Sequence, residues 1–103
     1  MAVMERRIMF INPGKWDDML SLEAEWNALE ASLGYLSPKR WTGSMAGPIG
    51  FMSLIWERDW DSVAASEEAY ARLFAAPECK ILLEKTEDCV SDMKNEFYTI
   101  VEV

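Results

Sequence analysis

Arg40, Thr42 and Ser44 alternate along one short stretch, and Glu57 and Tyr70 follow further on; these side chains have the types and spacing that offer chemistry. In an extended segment, residues two apart share a face. An arginine beside two hydroxyls on one face would stabilise an oxyanion or enolate while orienting its carrier. The alternative for Arg40 is an ordinary surface arginine at a strand end. Glu57, Asp59 and Asp61 form an acidic cluster at the end of an apolar run. A carboxylate in an apolar cleft has a raised pKa and serves as a base. Asp59 and Asp61 are accounted for as helix-capping and charge–dipole partners, which leaves Glu57. Arg40 and Glu57 are thus the catalytic candidates. The ligand-binding candidates are Arg40, Thr42, Ser44, Trp16, Trp60 and Tyr70. The two tryptophans each precede a helix, where they form either a ligand wall or a hydrophobic staple.

The chain has no histidine. That excludes a Ser-His or Cys-His nucleophile pair, a histidine base, and His-ligated haem or zinc. Two cysteines without histidine cannot complete a four-ligand zinc site, and neither phosphate-cradling glycine motif occurs. No metal and no cofactor is expected. Eighteen acidic against ten basic residues leave a net charge of −8, which argues against nucleic acid and anionic membranes as partners. No apolar run is long enough to span a bilayer, and no signal-peptide pattern opens the chain, so a cytoplasmic location is expected. Cys79 and Cys89 are ten positions apart on one predicted helix, about 15 Å at its rise per residue. A disulfide needs Cα atoms about 4.4–6.8 Å apart, so both thiols are expected free.

The elements that must position these residues follow from periodicity. Residues 5–12 read as a strand ended by Pro13-Gly14, with Arg6, Ile8 and Phe10 on one face and Arg7, Met9 and Ile11 on the other. The inward-facing arginine of the adjacent pair needs a carboxylate, which the acidic helices offer. Met19, Leu22, Trp26, Leu29 and Leu33 make one helical stripe, with Glu23, Glu25, Asn27 and Glu30 off it and Gly34 as the stop. Residues 36–45 and 51–58 read as two further strands joined by a glycine-rich loop. Residues 62–75 read as a helix, and Pro77 suits the first turn of another. That last helix carries Cys79, Leu82, Leu83, Thr86, Cys89 and Val90 on one side, and residues 97–103 close the chain as a strand.

The order β-α-β-β-α-β, with its second helix split near Pro77, is the ferredoxin-like arrangement of an α+β domain spanning residues 1–103. A four-stranded antiparallel sheet takes the helices on one face. The other face is expected to expose parts of 51–56, 9–11 and 97–101, an apolar patch suited to a second copy. Leu54 or Trp56, whichever faces the partner, is the expected contact. Five tryptophans, four phenylalanines, three tyrosines and seven methionines are a heavy load for 103 residues, because a chain this short buries only about two-thirds of its surface.

The run Ser53 to Ser62 (SLIWERDWDS), the helical E-A-Y-A-R-L-F-A-A-P-E ending at Glu78, and the closing strand after Asn95-Glu96 resemble the dimeric α/β barrel superfamily. Within it, they resemble the NIPSNAP-like and antibiotic-biosynthesis-monooxygenase-like branch. The resemblance implies a homodimer with a ligand-sized cavity between sheet and helices in each protomer. It implies no specific reaction; the expectation set beside it is that the chain binds a small aromatic or enolisable molecule and, if it is an enzyme, acts as a cofactor-independent monooxygenase or isomerase. The competing expectation is a non-catalytic assembly module whose apolar surfaces serve association alone. The two differ in whether the space near Trp26, Leu29, Tyr70 and Phe74 is open with a polar group aimed inward, or packed solid.

Overall fold

The computed structural model describes residues 1–35 and 37–103. Seven elements follow one another: β1 (Val3–Ile11), α1 (Trp16–Ser32), β2 (Arg40–Gly43), β3 (Ser53–Trp60), α2 (Val63–Ala75), α3 (Pro77–Cys89) and β4 (Val90–Thr99). The strands form one antiparallel sheet in the order β2-β3-β1-β4, the ferredoxin-like order. Met9 and Ile11 of β1, and Leu54 and Trp56 of β3, meet Met19, Leu22 and Trp26 of α1, Leu73 of α2, and Cys79, Leu82 and Cys89 of α3 in one core. No helix of the described residues is long and apolar enough to cross a membrane.

Local chemistry sets the element ends. Asp17 and Asp18 occupy the first turn of α1, and no side chain caps it. Ser62, not Asp59 or Asp61, caps α2, its hydroxyl accepting from the Ala65 N–H at 3.0 Å. Ala76 leaves the helical conformation between α2 and α3, and Pro77 opens α3, where its missing N–H costs nothing.

Three boundaries differ from expectation. The second strand shrinks to Arg40–Gly43; Pro38 lacks a donor for the ladder, and Leu36 lies outside the described residues. The third strand begins at Ser53 because Met52 has φ 64°, a left-handed conformation that no ladder accommodates. The last strand starts at Val90 directly after α3, seven residues early, and ends at Thr99. Its polar first half shows no strand alternation, as befits an edge; pairing with β1 from Ile11↔Val90 to Val3↔Thr99 makes it a strand.

The far face of the sheet also differs. Leu54 and Trp56 point at the helices with Met9 and Ile11, so they are not partner contacts. The far face instead carries a row of alternating charge, Arg40–Glu57–Arg6–Glu96, beside the row Thr42–Ile55–Ile8–Lys94. Ile8 and Ile55 are largely covered already. The exposed apolar patch is smaller and more charged than alternation alone suggests.

Candidate functional site

A cavity of about 260 Å³ lies between the sheet and the helices. Part of its lining is apolar, from Met9, Trp26, Trp56, Leu73, Phe74, Leu83 and Met93, and part is polar, from Arg7, Glu23, Glu30, Lys39 and Tyr70.

The polar lining belongs to a set of buried charges. Glu5 is fully buried on β1, one pleat from Arg7. It accepts the Tyr70 hydroxyl at 2.6 Å and the Trp60 indole N–H at 2.8 Å, and stands 3.5 Å from Arg7 Nη2. Deeper along β3, Arg58 donates to Glu30. Lys39 lies 3.3 Å from Glu30 and 3.5 Å from Glu23, and Glu23 also accepts from the Trp41 indole at 3.2 Å. Three carboxylates therefore face three cations. Pairing is what makes burial of so many charges tolerable.

Aromatic rings complete the arrangement. Arg7, Lys39 and Arg58 stand 4.9, 5.1 and 5.5 Å from the centre of the Trp56 ring. Arg58 also lies over Tyr35 and Trp60. Among the described residues its Nε and Nη1 have no hydrogen-bond partner; aromatic ring faces surround them. Burial pushes the Tyr70 hydroxyl well above the usual phenol range; Arg7 pulls it down and the Glu5 carboxylate pushes it further up. Burial, aided by Glu30 and opposed by Arg58, raises Tyr35 to about 12. Cys79 and Cys89 are free, buried, and raised by burial, which leaves them poor nucleophiles.

Of the residues named from sequence, Tyr70 lines the cavity and Trp60 meets it at Glu5. Arg40, Thr42 and Glu57 sit on the far face, with Arg40 exposed and 3.6 Å from Asp59. Ser44 lies past the end of β2, and its hydroxyl donates to the Gly50 carbonyl. Trp16 packs against the core and over Gly43, whose absent Cβ would come 3.3 Å from the ring. The reason is alternation: Trp41, between Arg40 and Thr42, takes the helix side of its strand. The cavity therefore takes its cations from Arg7 and Lys39 rather than Arg40.

Glu5, Arg7, Glu23, Glu30, Lys39 and Arg58 were not among the sequence candidates. One signal was present, since Arg7 shares a strand face with Met9 and Ile11. Its carboxylate partner is Glu5 on its own strand, not a helix residue. Glu23 and Glu30, read as off the helical stripe, bracket Trp26 and are buried with it.

No protein-family model matches the chain, and no curated protein does. Among solved structures it is similar to a NIPSNAP family protein from Agrobacterium tumefaciens, with TM-score 0.84 and 17% identity over 99% of this chain and 95% of that one. It is similar to an uncharacterised NIPSNAP domain protein from Burkholderia xenovorans, with TM-score 0.81 and 16% identity over 96% and 94%. A cofactor-independent oxygenase from Streptomyces nogalater follows the same course, with TM-score 0.70 and 13% identity over 99% and 94%. The chain thus has the ferredoxin-like α+β fold that these NIPSNAP proteins and this cofactor-independent oxygenase share.

Proposed function

We propose that this chain binds a small, flat, largely apolar molecule, aromatic or enolisable and bearing an oxyanion or carbonyl, in the cavity between sheet and helices. The observation that carries the reading is Arg7. It lines the cavity beside Trp56 and Tyr70 while its own charge is only partly engaged, by Glu5 at 3.5 Å and Asn95 at 3.0 Å. The guanidinium keeps donors for an anionic head, and the apolar lining takes the flat body. The fold shared with a cofactor-independent oxygenase supports monooxygenase or isomerase chemistry in which the ligand's own carbanion is the reactive species. The protein then supplies orientation, exclusion of water and charge stabilisation.

The same reading makes the protein a homodimer through the far face of the sheet. The charge row Arg40–Glu57–Arg6–Glu96 is self-complementary when a second copy is turned antiparallel over it. Arg6 and Glu96 are 4.0 Å apart, beyond a hydrogen bond, and Arg6 Nε and Glu96 Oε1 are buried without one among the described residues.

A thermal-shift screen of aromatic acids, quinones and phenols tests the binding reading, with Arg7→Gln and Arg40→Ala alongside the wild type. Anionic members are expected to stabilise the wild type and Arg40→Ala alike. Arg7→Gln should weaken them by about 1.5–3 kcal/mol, the range for a hydrogen bond to a charged group. If no compound stabilises the wild type, the assembly module takes this reading's place.

A further inference from the structure

Among the described residues Glu5 is the one carboxylate that is wholly buried. Trp60 fixes Oε1 from β3, and Arg7 approaches Oε2 from its own strand. The Tyr70 hydroxyl lies 2.6 Å from both oxygens, and Tyr70 itself lines the cavity. One short hydrogen bond therefore joins a residue that lines the cavity to a shielded carboxylate.

We propose that Tyr70 and Glu5 form a proton relay that deprotonates an enolisable ligand in this cavity, with Tyr70 as the catalytic residue and Glu5, acting through it, as the acceptor. The proposal rests on the binding reading above and adds a reaction to it. The C–H bond beside the ligand's carbonyl breaks, and its electron pair stays on the ligand as an enolate. The proton goes to the Tyr70 oxygen while the Tyr70 hydroxyl proton passes to Glu5. Nothing is oxidised or reduced, and return of the proton to a different carbon isomerises the ligand. Burial keeps the Tyr70 hydroxyl protonated at neutral pH, so it conducts a proton instead of storing one. Arg7, beside both groups, is placed to take the negative charge that develops on the ligand oxygen.

Charged and aromatic groups face Glu5 from each element packed against it. Arg7 shares its strand, Arg58 opposes it in register on β3, Tyr70 comes from α2, and Phe97 opposite on β4 does not titrate. From the α1 side, Glu30 is bound to Arg58, and the Tyr35 ring lies under that guanidinium.

β-Tetralone, a flat bicyclic ketone with an acidic benzylic C–H, is a suitable probe. Its hydrogen–deuterium exchange in heavy water is followed by proton NMR, and its binding by tryptophan fluorescence. Wild-type protein should accelerate exchange over buffer. Tyr70→Phe and Glu5→Gln should bind the ketone yet lose about 100-fold or more of the acceleration, the scale of general-base catalysis. Gln keeps the volume of Glu5 and still accepts from Trp60; if Glu5→Gln does not fold, Tyr70→Phe, which removes one oxygen, decides alone. Binding without acceleration, or full acceleration in Tyr70→Phe, overturns the relay and leaves the binding reading standing. Failure of the wild type to bind the ketone overturns both.

Discussion

On the helix side of the sheet, Arg58 is almost wholly buried, bound to Glu30 and enclosed by three aromatic rings. On the far side, Arg40 meets Asp59 at 3.6 Å with 56% of its side chain in water. Both sides alternate arginine with glutamate along the same strands: Glu5 opposes Arg58 inside, and Arg6 opposes Glu57 outside. Residue type therefore does not separate a site from a surface here. Depth does, because the same ion pair gains strength and loses tolerance as water is withdrawn.

The largest contrast should come from removing one arginine on each side. Arg58→Ala leaves Glu30 buried with Lys39 alone and should cost about 3–5 kcal/mol in denaturant unfolding. A cost below about 1 kcal/mol would mean that the inner charges are solvated after all. The far face is broken more directly by Ile55→Lys, which puts a charge at the centre of the proposed dimer contact. Light scattering should show the mass fall to that of one chain, near 11.8 kDa, with the cavity still able to bind; a wild type already at that mass would remove the homodimer from the reading.

A smaller effect should appear at high pH. Tyr35 and Tyr70 both ionise later in the folded chain than in the unfolded one. Their contribution is fully present below the ordinary tyrosine value near 10, and is lost as pH rises from there toward about 12 and beyond. Unfolding free energy measured against pH should decline over that window, and Tyr70→Phe should flatten the decline; an unchanged slope would mean the hydroxyl is wet. The smallest effect belongs to Arg40→Ala, expected within about 0.5 kcal/mol of wild type because exposed pairs contribute little. A cost of about 3 kcal/mol or more, the scale of a broken buried pair, would show that the outer row is not solvent-like.

Much of the fold was legible along the chain. Met19, Leu22 and Trp26 recur at helical spacing and are buried, Pro77 splits the last helical region in two, and Pro13-Gly14 ends the first strand. These are local matters, decided by covalent geometry and by one face of one element. The polar first half of β4 was not legible, because an edge strand wet on both sides has no alternation to read.

The absence of histidine, the acidic balance and the order of elements belong to the sequence by itself. Tertiary structure alone decided which side of the pleat turns inward, and with it the site. Alternation says that Arg6 and Arg7 part company; it does not say which one meets the helices. Glu5 finds Tyr70 sixty-five positions away, and Glu30 finds Arg58 twenty-eight away. A charged residue whose partner comes from so far along the chain looks like a solvated one until the packing brings the two together and withdraws the water between them.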